Sequence, residues 1–132
     1  MAYLKPPAFQ RKVFNKLAML TGIMGTQTLE VTGRRSGKKM TVPVIPVEYG
    51  DARYVVSTRG ESKWVKNLRA ASGECTIRGR GKNETLLATE IPVEERPPVI
   101  EAYKKKAGRE VNQYFAKLPD PGDHPIFRIT TR

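Results

Sequence analysis

Apolar residues in the first part of the chain recur at helical spacing: Phe9, Val13, Leu17 and Leu20 share one face, while Arg11, Lys12 and Lys16 fall elsewhere on the wheel. The pattern predicts a basic amphipathic helix over residues 9–22. Such a helix suits the open end of a β-barrel, which it would cap, or an anionic membrane surface, on which it would lie. The period then changes. Residues 26–32 are β-rich, a glycine-bracketed stretch follows at 33–37, and a second extended run covers 40–48, with valines at 42, 44 and 47. Pro43 and Pro46 place that run at an edge, a bulge or a barrel corner, because proline cannot donate to a sheet ladder. Gly50-Asp51 predicts a tight turn into a strand over 52–57, pairing the second and third strands as a hairpin.

Past Gly60 the spacing of Trp64 and Leu68 predicts a short helix over 61–71, with Lys63, Lys66 and Asn67 around its apolar stripe. Residues 75–78 and 85–93 read as another hairpin about the turn at 79–83. A helix over 94–108 tolerates Pro97 and Pro98 only in its first turn, and a further helix over 110–118 must stop at Pro119 and Pro121. The last strand covers 125–130. About six strands, with helices at the ends and between two hairpins, fit a small antiparallel α+β barrel. No repeat, linker or low-complexity segment interrupts the chain, so residues 1–132 are expected to form one domain.

Composition narrows the partners. With 39% hydrophobic and 28% charged residues the chain has the makings of one folded core rather than disorder. No run approaches the ~20 apolar residues of a membrane-spanning helix, and residues 1–10 lack a signal-peptide core, so a cytoplasmic protein is expected. The one cysteine, Cys75, cannot form an internal disulfide, and with the one histidine, His124, it cannot build a Cys/His metal site. Cys75 is expected to be an inert, half-buried strand residue and His124 a turn residue before the last strand. The 24 Lys+Arg against 13 Asp+Glu give a net charge of +11, which calls for an anionic partner. Nucleic acid, a lipid surface and a small polyanion all satisfy that requirement.

Motifs separate the classes further. No Ser/His/Asp or Cys/His nucleophile arrangement is present. Glu94-Glu95 opens a helix, where the dipole favours carboxylates, and carries no sign of acid–base work. Residues 32–38, Thr-Gly-Arg-Arg-Ser-Gly-Lys, look superficially like a phosphate-cradling loop. Only three residues separate the glycines, however, and Lys39 stands where a magnesium-binding Ser or Thr belongs, so a nucleoside triphosphatase is rejected. What remains is a turn expected to expose backbone N–H groups beside several cations, suited to holding an anion. Ser57-Thr58-Arg59-Gly60, running from a strand end into a helix N-terminus, offers a second such place.

These two blocks resemble a known family. Thr32-Gly33-Arg34-Arg35-Ser36-Gly37-Lys38, with Thr41-Val42-Pro43 after it, is similar to the Thr-Gly-Arg-(Lys/Arg)-(Ser/Thr)-Gly … Val-Pro signature of the deazaflavin-dependent nitroreductases, actinobacterial split-barrel oxidoreductases. Ser57 through Trp64, with Asn67, Leu68 and Ala70, resembles their second block. The resemblance covers residues 28–76 and implies an α+β split β-barrel of the flavin-mononucleotide-binding kind. It implies an 8-hydroxy-5-deazaflavin coenzyme (coenzyme F420) whose phospholactyl and oligoglutamate tail matches the basic charge. It also implies hydride transfer to an electron-poor enone, quinone or nitro compound.

Carried over by position, the resemblance sets Arg34, Arg35, Ser36 and Gly37 at the tail and phosphate, and Pro43 at the ring pocket. Ser57, Thr58, Arg59 and Gly60 border the coenzyme from the next strand end, with Trp64 and Asn67 on the helix. Tyr114, and with it Tyr103, is the candidate proton donor or substrate wall. Met40 stands where many members carry arginine, Thr58 replaces a common lysine, and Val65 a common aromatic residue. Some contacts and the acceptor must therefore differ. Flavin mononucleotide is the alternative cofactor. The rival classes are a basic nucleic-acid-binding barrel and a cofactor carrier without turnover. The residues do not separate monomer from homodimer.

Overall fold

The computed structural model describes residues 25–79 and 81–132. The strands are β1 (Gln27–Thr32), β2 (Lys39–Val44), β3 (Val47–Tyr49), β4 (Ala52–Val56), β5 (Glu74–Gly79), β6 (Lys82–Glu90) and β7 (Ile126–Thr131). The helices are α1 (Lys63–Ala70), α2 (Arg96–Ala107) and α3 (Arg109–Lys117), with 3-10 turns at Val93–Glu95 and Pro121–Asp123. All strand pairs are antiparallel, in the order β2-β1-β5-β6-β7-β4-β3. The expected basic helix over 9–22, and with it the membrane-surface reading, lies outside the described residues.

The extended run expected over 40–48 is two strands, not one. β2 pairs with β1 at one edge of the sheet and β3 pairs with β4 at the other, and only Ile45 and Pro46 join them. Two residues span only about 10 Å. The two edges of the seven-stranded sheet therefore lie side by side, and the sheet curls into a split barrel. Pro46 makes the corner, and Pro43 is tolerated because β2 is an edge strand. Consequently the hairpin about Gly50, which has φ +63, joins β3 to β4.

Strand alternation supplies two cores. Val55 and Phe127 point to one, with Leu29, Val31, Ile77 and Leu86, and this core is closed by Val65 and Leu68 of α1. Val56 and Ile126, next along the same strands, point to the other, formed with Val99, Ile100 and Tyr103 of α2 and Phe115 of α3. Fully burying each Leu or Val contributes roughly 1.5–3 kcal/mol, so the helices are held chiefly by these faces. The turn from α1 into β5 lies tight against β6: Gly73, at φ +84, accepts from Ala88 N at 2.8 Å, and a Cβ there would collide with the Ala88 carbonyl oxygen. Pro97 and Pro98 sit in the first turn of α2, as their missing N–H groups require. Among the described residues, no helix is long and apolar enough to cross a membrane.

Candidate functional site

The 33–38 turn joins β1 to β2 and closes on itself. Gly33 N donates to Lys38 O at 2.8 Å, Gly37 N to Gly33 O at 3.0 Å, and Lys38 N to Ser36 Oγ at 3.2 Å. Gly37 has φ +73, a conformation that an L side chain would strain. Arg34 N is also engaged, at 3.1 Å from Asn67 Oδ1. The expected array of free backbone N–H donors is thus largely consumed inside the protein. Attraction for an anion falls instead to the side chains of Arg34, Arg35, Lys38 and Lys39, all exposed. None of the four forms an ion pair among the described residues.

Asn67 ties this turn to α1. Its Oδ1 accepts from Arg34 N and, at 2.7 Å, from Arg34 Nη1, and the side chain is buried beneath them. The two sequence blocks therefore meet in space. On the same helix Trp64 is half-buried, packed against the first core with its ring centroid 6.0 Å from that of Phe127, and part of its indole is accessible. Pro43 is not on that face: it alternates with Val42 and Val44, which point to the first core, so its ring lies on the outer side of β2. A cleft of about 510 Å3 adjoins the Arg34 end of the site, between Thr32, Lys39, Ala71 and Arg132. It does not extend to Trp64 or to the 57–60 loop.

That loop is held from within. Ser57 is buried, its Oγ donates to Gly60 O at 2.5 Å and lies 3.4 Å from Ser62 Oγ, and its N donates to Pro125 O at 2.9 Å. Gly60 takes φ +88. Ser57 therefore shapes the loop, while Thr58 and Arg59 are the members with accessible side chains. The loop enters α1 without a side-chain cap or an acidic residue in the first turn, which leaves the helix N-terminus attractive to negative charge. The Arg59 guanidinium stands over the Tyr114 ring, 5.8 Å from its centroid. Tyr103 lies deeper, against Phe115 at 6.2 Å, and burial pushes its phenol well above the ordinary tyrosine value. Of the two tyrosines, only Tyr114 is accessible from outside.

His124 is, as expected, a turn residue before β7, but its side chain does not face solvent. It is fully buried, with Nδ1 at 2.8 Å from Ser57 O, Nε2 at 2.5 Å from Leu118 O, and its ring 4.3 Å from that of Phe115. Nothing in its local sequence signals this, because Ser57 lies 67 residues away. Arg96 escaped the sequence reading too. Buried at the start of α2, it donates to Ile91 O, Pro121 O and His124 O and pairs with Glu90, which also binds Arg69. Cys75 is buried rather than half-buried, and desolvation pushes its thiol up to about 11. Among the described residues, no group of His, Cys, Asp and Glu is placed to hold a metal ion.

Residues 8–117 match the model of the family described as F420H(2)-dependent quinone reductase. Among solved structures, the F420-H2 dependent reductase FDR-A is 23% identical, with 80% of this chain and 93% of that chain covered at a TM-score of 0.57. A domain-swapped dimer is 20% identical over 92% of this chain and 94% of that one, at 0.59. The heme storage protein HutZ from Vibrio cholerae is 12% identical over 89% and 88%, at 0.61. These likenesses show the split-barrel fold. A comparison with curated proteins finds no match. The family match, spanning both of the blocks that Asn67 and Arg34 join, means that the chain belongs to the F420H(2)-dependent quinone reductase family and is an oxidoreductase working with the reduced deazaflavin coenzyme.

Proposed function

We propose that the coenzyme lies between the 33–38 turn and the 57–60 loop, and that the acceptor enters from the side of Arg59 and Tyr114. The observation carrying this reading is the double hydrogen bond from Arg34 to Asn67, which sets the cationic turn beside the helix that bears Trp64. The donor set fits the coenzyme. Its polyanionic tail finds Arg35, Lys38 and Lys39 without carboxylate partners among the described residues, and its ring finds the accessible part of the Trp64 indole. When bound, the coenzyme supplies a hydride to an electron-poor carbon or oxygen, and the protein is left to bind, orient and supply a proton.

Each task has a residue. Arg34 is oriented by Asn67 before any ligand arrives, so little freedom remains to be lost on binding. The N-terminus of α1 faces the anionic part of the ligand with uncapped N–H groups. Arg59 stabilises the negative charge that appears on the acceptor once hydride has arrived, and the Tyr114 hydroxyl delivers the compensating proton. Tyr103, buried and hard to ionise, is a wall behind them. A quinone suits this arrangement, since it leaves as a neutral hydroquinone after one hydride and one proton. The domain-swapped dimer among the structural relatives supports a homodimer, which sedimentation reads as twice 14.8 kDa.

Trp64, the only tryptophan, reports on the site directly. Titration with oxidised deazaflavin coenzyme should quench its fluorescence saturably at one-to-one stoichiometry, more strongly than flavin mononucleotide, with the effect lost in Arg35→Ala. Quenching by single-stranded RNA alone would overturn the assignment and favour a nucleic-acid site.

A further inference from the structure

We infer that His124 is a positioning residue that joins the two walls of the site, the 57–60 loop and helix α3, through separate contacts at its two ring nitrogens. This rests on the proposed placement of coenzyme and acceptor. The observation itself is independent of any ligand. Nδ1 lies 2.8 Å from the carbonyl oxygen of Ser57, the residue that opens the loop. Nε2 lies 2.5 Å from the carbonyl oxygen of Leu118, immediately past the end of α3, where Leu118 N closes the helix on Tyr114 O at 2.9 Å. One side chain thus grips the strand end that leads to Arg59 and the helix end that carries Tyr114.

Three features show a strut rather than an ordinary packed histidine. The ring is wholly buried and packs at a tilt of 35° against Phe115, itself on α3. The backbone of His124 is fixed in turn, because its carbonyl accepts from Arg96 Nη1 at 3.3 Å and its N donates to Pro121 O at 3.1 Å. Its two nitrogens meet backbone carbonyl oxygens on two different elements, the strand end at Ser57 and the helix end at Leu118. The Arg59–Tyr114 contact then depends on a side chain whose hydrogen bonds go to neither residue. Moving either wall changes that contact without altering the chemistry of its members.

The two contacts can be separated by substitution. Asn at 124 places an amide N–H donor near the Nδ1 position, and Gln places one near the Nε2 position. His124→Asn should therefore keep the Ser57 contact and lose the Leu118 contact, and His124→Gln the reverse. In the protein without coenzyme, amide hydrogen exchange should quicken by about fivefold, the loss of one net hydrogen bond, at 115–118 in His124→Asn and at 57–62 in His124→Gln. With coenzyme and a soluble quinone, His124→Asn should raise the acceptor KM by about fivefold at unchanged coenzyme Kd, whereas His124→Gln should weaken the coenzyme by a similar factor. Both variants should unfold cooperatively.

The inference is overturned if the two variants disturb both regions alike, or if neither disturbs either. Wild-type protein that binds no deazaflavin, while the exchange pattern still divides between the variants, would reject the proposed site and leave the strut standing.

Discussion

Arg34 and Asn67, 33 residues apart, meet through a single oxygen: Asn67 Oδ1 accepts both the main-chain N–H of Arg34 and its guanidinium Nη1, at 3.1 and 2.7 Å. One buried amide therefore fixes both the path of the 33–38 turn and the direction of its first cation. Asn67→Ala should destabilise the protein by about 1–3 kcal/mol, since it strands a partly buried donor. Asn67→Asp should keep both hydrogen bonds and the unfolding midpoint but weaken the coenzyme by about tenfold, because a carboxylate there neutralises Arg34. Unfolding in urea beside a coenzyme titration checks both. An Asp variant that binds as tightly as the parent means Arg34 does not face the ligand.

Arg59 and Tyr114 should separate in kinetics. Tyr114→Phe keeps the ring under the guanidinium and removes the hydroxyl, so kcat should fall by about tenfold or more with little change in acceptor KM. Arg59→Gln should lower kcat/KM, and an added anion should not restore it. Steady-state rates with a soluble quinone decide the matter. Equal kcat in Tyr114→Phe assigns the proton to solvent.

Cys75 should be silent at neutral pH. Its folded value of about 11 stands above the roughly 8.5 of a free thiol, so the folded state keeps the proton longer than the unfolded state does. The associated stability is complete below the unfolded value and is lost as pH rises toward 11. Iodoacetamide at pH 8 should label denatured protein fully and native protein negligibly. Cys75→Ala should flatten the alkaline fall in stability, measured by urea midpoints between pH 8 and 11.

On the acid side the sign reverses. Hydrogen bonding from Arg69 holds the Glu61 carboxyl below its ordinary value, and Arg53 does the same for Glu84. Their contribution is present above the unfolded carboxyl value and disappears as pH falls through the folded one. Glu61→Gln should therefore shift the acid-unfolding midpoint upward and shallow the loss below it. Arg96 is the costlier member of the same network, because its side chain is only 7% exposed and serves three carbonyls as well as Glu90. Arg96→Met should destabilise by about 3 kcal/mol, read from urea unfolding.

Much of this was legible in the chain. Valine and isoleucine alternation located the strands, Pro97 and Pro98 fixed the start of α2, and the two motif blocks pointed to the family. The sequence could not show that Pro46 sends β2 and β3 to opposite edges of the sheet, because edge membership is a property of the closed barrel. Nor could it show that the turn at 33–38 spends its own N–H groups, since Arg34 finds its acceptor on α1. The buried contacts of His124 and the role of Arg96 are hidden for the same reason. Their partners are backbone carbonyls, which carry no side-chain signature, and those that matter most lie far away in sequence. Local period and turn chemistry are written in short windows, whereas struts between distant elements are not.

On the proposed reading, this chain passes hydride from the reduced deazaflavin coenzyme to a quinone at the site between the 33–38 turn and Tyr114. The most direct test is the oxidation of reduced coenzyme by a soluble quinone under anaerobic conditions, followed by the return of the coenzyme's visible absorbance. Turnover should scale with protein concentration, saturate in both reactants and be lost in Arg35→Ala. A rate no faster than the protein-free reaction, from protein whose Trp64 fluorescence shows the coenzyme bound, would contradict that reading and leave a carrier of the coenzyme in place of a reductase.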